Sequence, residues 1–279
     1  MKPIIKWPGG KTQLLKELLP LIQNNLNSDS TFYEPFAGGL AVTLALQYPN
    51  TVVNDLNSEL INMYRVIRDN PEELISELKC FQNSHNSNPQ WYYHIRNLDR
   101  MGDMLDRMGN IAKATRTIYL NKTCFNGLYR VNKKGHFNVP LGRTTSGKTP
   151  DIVQEDLIRE ISKFLKTVQF YSTDYKIAIN GAKDGDVVFF DPPYDTDEAI
   201  KSEGFVGYQK EGWTRRDLEE LKMICDELSI RGVKVILTNN DTEFVRKLFV
   251  GYNFKEVEVK RSINRDGNKR KGKELVIYN

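Results

Sequence analysis

The run Val187-Val188-Phe189-Phe190-Asp191-Pro192-Pro193-Tyr194 constrains the fold more tightly than any other segment of the chain. Four consecutive apolar residues without polar alternation suit a strand covered on both faces, as in a parallel sheet held between helices. The strand then delivers a carboxylate, two prolines and an aromatic to the carboxyl edge of the sheet, where open α/β folds bind their ligands. The prolines fix φ and remove two amide donors, so the edge offers acceptors and no donors from that stretch. A structural aspartate followed by a proline turn is the plainer alternative.

The rest of the chain supplies such a sheet. Gly9-Gly10 precedes a helical run with Leu14, Leu15, Leu18, Leu19 and Ile22 on its apolar positions. A strand over Thr31-Phe32-Tyr33-Glu34 meets Pro35-Phe36-Ala37-Gly38-Gly39, a helix follows from Leu40 to Tyr48, and a second strand, Thr51-Val52-Val53, ends at Asn54-Asp55. Strand, glycine turn, helix, strand is the unit that builds a parallel sheet with a right-handed crossover. From about Leu56 to Leu120 the pattern is mostly helical and polar, with loop signals at Asn70-Pro71 and across Asn83 to Pro89. A Gly- and Asn-rich stretch from Asn126 to Val139 suits a hairpin turning near Lys134-Gly135. From Asp151 the alternation resumes, with strands over Asp186–Phe190 and Val233–Leu237, a helix over Leu218–Leu228, and a closing hairpin of Phe254–Val259 with Leu275–Tyr278. We therefore expect an α/β fold made of residues 1–56 and 151–279, interrupted by an inserted, mainly helical domain over 57–150.

Composition bounds the function. At 279 residues the chain can bury a core without staples, and 39% hydrophobic with 27% charged residues is ordinary for a globular protein. No apolar stretch approaches the roughly 20 residues that span a bilayer, and Met1 to Lys6 lacks a secretory apolar core, so no membrane partner and a cytoplasmic location are expected. Cys80, Cys124 and Cys225 are far apart and read as reduced and structural, and His85, His94 and His136 have no metal-ligand spacing, so no metal is expected. A net charge of +4 says little, but its distribution says more. Between Asp106 and Asp151 there is no acidic residue, while Arg107, Lys113, Arg116, Lys122, Arg130, Lys133, Lys134, Arg143 and Lys148 are basic. A positive surface facing an anionic partner is the natural reading, and a solvated basic face the bland one.

Two constellations carry chemistry. Small residues at Pro35 to Gly39 let the backbone approach a ligand, and Asp55, at the end of the next strand, is placed to accept hydrogen bonds from ribose hydroxyls. Gly-x-Gly-x-x-Gly is absent, which disfavours nicotinamide or flavin. At Asp191-Pro192-Pro193-Tyr194, the carboxylate and the Pro192 carbonyl could grip the two N–H bonds of an aromatic amine such as adenine N6. Its lone pair is delocalised into the ring, and acceptors on both hydrogens favour the pyramidal geometry in which that pair can attack. Tyr194 could stack on the base.

In their order along the chain, Lys6-Trp7-Pro8-Gly9-Gly10-Lys11, Glu34 to Gly39, Asn54-Asp55, Phe125 to Arg130 with Phe137 to Pro140, and the Asp191 tetrad resemble the Dam-type, D12 class DNA adenine N6-methyltransferases over nearly the whole length. The resemblance implies a Rossmann-like catalytic sheet and a target-recognition domain inserted between the motifs. It implies S-adenosylmethionine as cofactor, contacted by Trp7, Lys11, Asp55 and Asp191 with Pro35, Phe36 and Gly38, and Asp191, Pro192 and Tyr194 as the catalytic set. On double-stranded DNA it implies Arg130 as reader of a guanine, Lys6 as a further base contact, and Phe125, Asn126, Leu128, Asn132 and Pro140 beside them. GATC is the implied target, with the adenine flipped out of the duplex, and a restriction endonuclease acting on the same site is an implied partner without direct contact. The family's glycine motif often continues with Gly or Ser where this chain has Leu40, which leaves the details of that turn open. Lys260, Arg261, Arg265, Lys269, Arg270, Lys271 and Lys273 add a basic loop near the carboxyl end, suited to phosphates.

Sequence context disfavours the rival readings. Gly142 to Thr149 matches the letters of a phosphate-binding loop, but Pro140 breaks the strand that should precede it and Pro150 disfavours a helix at Thr149. A non-catalytic DNA-binding module would not need the tetrad. Enzymes acting on cytosine N4, RNA adenine or a protein glutamine amide share an acceptor-rich site.

Overall fold

The structure, a computed structural model, describes residues 1–143, 149–195, 213–260 and 271–279. Seven strands, β1 (Phe32–Glu34), β2 (Thr51–Asn54), β3 (Val168–Tyr171), β4 (Val187–Phe190), β5 (Lys234–Asn240), β6 (Asn253–Lys260) and β7 (Lys271–Tyr278), form one sheet in the order β3-β2-β1-β4-β5-β7-β6. β1 to β5 run parallel, with Phe32 beside Thr51 and Val187, and β7 pairs antiparallel with β5 and β6. This is the Rossmann-like α/β sheet with a closing antiparallel hairpin.

Apolar runs in β4 and β5 are covered on both faces because side chains alternate along a strand. Val187 and Phe189 pack with Leu14, Leu18 and Ile22 around α1 (Leu15–Gln23) and with Val42 of α2 (Ala41–Leu46). Val188 and Phe190 pack on the other face with Leu218, Leu221, Cys225 and Leu228 of α10 (Arg215–Ile230) and Val245 of α11 (Glu243–Leu248). Beside them lies the short α9 (Tyr175–Ala178).

The helical region consists of α3 (Ser58–Asp69), α4 (Pro71–Ser87), α5 (Trp91–Asn97), α6 (Met104–Arg107) and α7 (Asn110–Thr123). Its core is continuous with that of the sheet: Leu60, Ile61 and Tyr64 of α3, Ile118 and Leu120 of α7, and Ile158 and Leu165 of α8 (Glu155–Leu165) join Val53 and Phe170 in one cluster. The loop expected from Asn83 is instead the last turn of α4, since His85 is buried there with its Nδ1 3.0 Å from the Tyr119 hydroxyl. Tertiary burial overrides the weak helix propensity of Asn and Ser.

Two further expectations are corrected. Arg116 is no part of a positive surface: it is buried, ion-paired to Asp99 at 3.0 Å, and donates to the carbonyls of Ile95 and Arg96. Cys80 is exposed and not a core residue, whereas Cys124 and Cys225 are buried. Residues 144–148 of the phosphate-loop echo, and Arg261, Arg265, Lys269 and Arg270 of the basic loop, lie outside the described residues. Thr149 and Pro150 start no helix, and α8 begins only at Glu155. Among the described residues, no helix is long and apolar enough to cross a membrane.

Candidate active site

β1 and β4 are neighbours from which the chain winds outward in opposite directions, through β2 and β3 on one side and β5 on the other. Their carboxyl ends therefore lie at the switch point of the sheet, the place where open α/β folds have their ligand crevice. Pro35 to Gly39 leaves β1 on one side of that crevice, and Asp191 leaves β4 on the other.

The glycine turn is fixed from several directions. Ala37 N donates to Asn54 O at 3.0 Å, Asn54 Nδ2 to Pro35 O at 3.1 Å, Gly38 N to Asp55 Oδ2 at 2.9 Å, and the Tyr64 hydroxyl to Gly38 O at 2.9 Å. Asp55 Oδ1 takes the Asn57 amide at 2.9 Å, and burial pushes its carboxyl above the usual range. Each oxygen of Asp55 has thus one amide partner and remaining lone pairs for a hydroxyl donor. Trp7 lies over the turn so closely that a Cβ at Gly38 would sit 2.7 Å from the indole Cδ1. Leu40 has φ 62 and ψ 28, a left-handed backbone that accounts for glycine at this place in the resembled motif. The conformation costs a leucine about 1–2 kcal/mol, which its complete burial offsets by about 2 kcal/mol. Phe36 stands in an aromatic group with Tyr175 at 5.0 Å and Trp213 at 5.6 Å, edge-on.

Across the crevice, Asp191 Oδ2 is ion-paired with Lys11 Nζ at 2.7 Å, and Oδ1 accepts from Thr238 Oγ1 at 2.8 Å. Lys11 is buried, also donates to Gly9 O, and lies 4.9 Å from the centre of the Tyr194 ring. The Tyr194 hydroxyl donates to Glu274 Oε2 at 3.0 Å, and burial beside Asp191 raises its pKa well above ten. Pro192 is buried and Pro193 exposed. Asp195 anchors the end of the tetrad: its carboxylate accepts from Arg215 at 2.9 and 3.2 Å and from Thr242 at 2.8 Å, and its amide donates to Asn239 Oδ1 at 2.9 Å. Below the crevice, Glu34 accepts from the Thr43 amide at 3.0 Å and from its hydroxyl, and burial lifts its carboxyl to about 8.

The hairpin forms a second site. Antiparallel bridges join Cys124 to Leu141 and Val131 to Phe137, and Gly135, at φ 82, turns it with its amide on Asn132 O. Phe125 N donates to Pro140 O at 2.9 Å, which brings those two expected contacts together. Phe125, Asn126, Arg130, Pro140 and Lys6 are exposed, while Leu128 and Asn132 are half-buried. Asn132 Oδ1 takes the amides of Lys134 and His136, so this oxygen shapes the turn. The return arm is clamped to the helices: Asp99 accepts from Phe137 N at 2.8 Å, Arg100 donates to Phe137 O at 2.6 Å, and the Tyr92 hydroxyl to Val139 O at 2.8 Å. A groove of about 440 Å³ at the hairpin root is lined by Lys6, His85, Lys122, Phe125, Asn126 and Arg143.

Lys11, Asp55, Gly38 and Trp7 thus fall around one crevice with the tetrad, and the expected DNA contacts fall on the hairpin and on Lys6. Sequence reading missed Thr238, Glu274 and Asp195, and gave Glu34 a place in the glycine motif but no role. The polar run Thr238-Asn239-Asn240 at the carboxyl end of an apolar strand was an available signal for the first; the ion pair of Lys11 with Asp191 had no local signal, since the two lie 180 positions apart.

Comparison with known proteins gives the family of the chain. Residues 7–263 match the family model described as D12 class N6 adenine-specific DNA methyltransferase. The chain is 37% identical to the type II methyltransferase M1.LlaDCHI of Lactococcus lactis subsp. cremoris, over 100% of this chain and 95% of that protein. It is 35% identical to the type II methyltransferase M.MjaIII of Methanocaldococcus jannaschii, over 100% and 99%. With a DNA adenine methylase of Haemophilus influenzae it shares 30% identity over 99% and 92%.

Proposed function

Because the chain belongs to the D12 class N6 adenine-specific DNA methyltransferase family, we propose that it methylates adenine N6 at one short sequence in double-stranded DNA, GATC by resemblance, with S-adenosylmethionine as donor. The observation that carries this reading is the Asp191 carboxylate at the switch-point crevice, facing a glycine turn bound to Asp55.

The donor set fits the cofactor. Asp55 has acceptor capacity left for ribose hydroxyls, Trp7 and Phe36 offer aromatic surface, and the turn at Pro35 and Gly38 brings backbone close to a ligand. Lys11 supplies a buried cation for an anionic group or for Asp191 itself. S-adenosylmethionine, when bound, supplies a methyl group activated by its sulfonium. The residues of this chain do the rest: Asp191 and the Pro192 carbonyl accept hydrogen bonds from the two N6 hydrogens, Tyr194 packs on the base, and one N6 proton passes by way of the Asp191 side chain to water as N6 gains the methyl group and the sulfonium is left a neutral thioether. Lys11 and Thr238 hold the Asp191 side chain oriented for that task.

The adenine must leave the duplex to reach this crevice, at a cost of a few kcal/mol. Exposed Lys6, Phe125, Asn126, Arg130 and Pro140, with half-buried Leu128 and Asn132, form the DNA surface in this reading, with residues 57–150 as the recognition domain. Arg130 reads a guanine through a bidentate contact. The enzyme works beside a restriction endonuclease that cuts the same site without touching it, or alone; both kinds of name occur among the relatives. The test is to incubate protein, S-adenosylmethionine and plasmid, then digest to nucleosides for mass spectrometry and sequence the modified positions. N6-methyladenine at one motif is the expected result; N4-methylcytosine alone, or no DNA product, overturns the reading.

A further inference from the structure

Buried Asn121, near the end of α7, touches two segments that the proposed function assigns to DNA reading. Its Nδ2 donates to Lys6 O at 2.7 Å and to Gly127 O at 3.1 Å, and its Oδ1 accepts from Lys6 N at 3.0 Å. Both donors of the amide are used, and its oxygen closes a two-way clasp on the backbone of Lys6. Lys6 and Gly127 belong to segments far apart in the chain and meet through this clasp and direct packing. At Gly127, φ is +66, and a Cβ there would stand 2.8 Å from Lys6 Cβ. Asn126 is also left-handed, at φ 56, a conformation that surrounding contacts must hold in a residue other than glycine. Two residues on, the Tyr129 ring stacks on Trp7 at 4.9 Å, which continues the same seam next to Arg130.

From this arrangement we infer that Asn121 is a positioning residue for target choice. It touches no base, being buried. It fixes the Lys6 backbone against the Phe125-Asn126-Gly127 turn, so that Lys6, the turn and the Arg130 hairpin meet the duplex in one register. Reading by hydrogen bonds to base edges tolerates little displacement, so loosening the clasp degrades discrimination before it degrades transfer. The inference rests on the proposed function, since it names the residue that sets the specificity of that site.

Two substitutions disturb the clasp from opposite sides. Asn121→Asp keeps the shape but turns a carboxylate oxygen toward two carbonyls, and Gly127→Ala pushes a methyl into Lys6. Thr115→Val is the control, on the same helix and equally buried, with bonds to Ile111 O and Glu77. Each protein is incubated with S-adenosylmethionine and plasmid, N6-methyladenine is mapped by sequencing, and S-adenosylmethionine affinity is measured by calorimetry. Both clasp variants are expected to raise methylation of sites differing by one base about tenfold relative to the preferred site, with cofactor affinity within about twofold of wild type. The control keeps the wild-type ratio. If Asn121→Asp fails to fold, Gly127→Ala decides. Equal loss of rate at every site, with the ratio unchanged, overturns the role of Asn121. A wild-type enzyme that marks no preferred adenine sequence overturns the functional reading instead.

Discussion

At the Asp191 edge both carboxylate oxygens already have protein partners, Lys11 on one and Thr238 on the other, whereas at the hairpin Arg130 is exposed and met by Asn138. The hairpin is nonetheless firm at its root, where Asp99, Arg100 and Tyr92 hold the return arm and Asn121 holds the entry turn. The difference follows from what each region must do. Acceptors that bend an amine toward attack act through orientation set before the substrate arrives, while a reader of base edges has to reach out of the protein surface. Loss at the edge should therefore cost rate, and loss at the tip should cost choice.

Asp191→Ala gives the largest expected effect. Removing one preorganised group from such a site lowers kcat by about 10²–10³ or more, so methyl transfer followed with labelled cofactor should fall to background, while duplex affinity measured by fluorescence anisotropy stays within about threefold. Retained turnover would remove Asp191 from its role and erase the contrast between the two regions.

Next in size is Arg130→Ala. A bidentate guanine contact is worth about 1–3 kcal/mol, so competition between the preferred duplex and duplexes changed at one guanine should lose about 10- to 100-fold of discrimination at that base. Binding to unrelated DNA should change little, and the salt dependence should fall by about one phosphate equivalent at most. Unchanged discrimination would sink the assignment of Arg130 as reader.

What could be read from sequence, and what could not, divides along the same line. The tetrad, the glycine turn and Asp55 were legible because each is a short local pattern at the end of an apolar strand, and the parallel sheet brings strand ends together without further information. The hairpin was legible from Gly135 and its Asn-rich flanks. Partners were not. Lys11 on Asp191, Glu274 on Tyr194 and Arg116 on Asp99 join residues that only the folded sheet and helices make neighbours, and Arg116 shows how a charge count misleads when one guanidinium is spent inside the core. The turn at Leu40 was a visible departure whose cause, a left-handed backbone, lies in φ and not in the letter.

A pH test probes how far the edge is prebuilt. Glu34 moves from an ordinary 4.5 to about 8 in the folded protein, chiefly because burial penalises its charge, with Asp191 adding to the rise. The folded state therefore holds a proton that the unfolded state releases, so this contribution to stability is complete below about pH 4.5 and is lost as pH rises toward 8. The slope is at most about 1.4 kcal/mol per pH unit, or about 3 °C per unit in Tm for a chain of this size. Glu34→Gln keeps an acceptor for Thr43 and should flatten Tm against pH between 5 and 8. A slope that survives the substitution would place the proton elsewhere.

The smallest effect should come from Asn138→Ala, and it bears most directly on whether the tip is open. Arg130 Nε donates to Asn138 Oδ1 at 2.7 Å, and Arg130 Nη2 lies 3.5 Å from Asn138 O. With Nε engaged, the two terminal nitrogens are left as the fork for guanine O6 and N7. Both side chains are accessible to water, so this bond contributes about 0.5 kcal/mol, and its loss should reduce discrimination at the guanine about two- to threefold with kcat on the preferred duplex unchanged. In the double variant with Arg130→Ala the effect of Asn138 should vanish, because there is no fork left to orient. If Asn138→Ala alone matched Arg130→Ala, the guanidinium would have to be held as tightly as the Asp191 carboxylate, and the division between a fixed edge and a free reader would fail at its reading end.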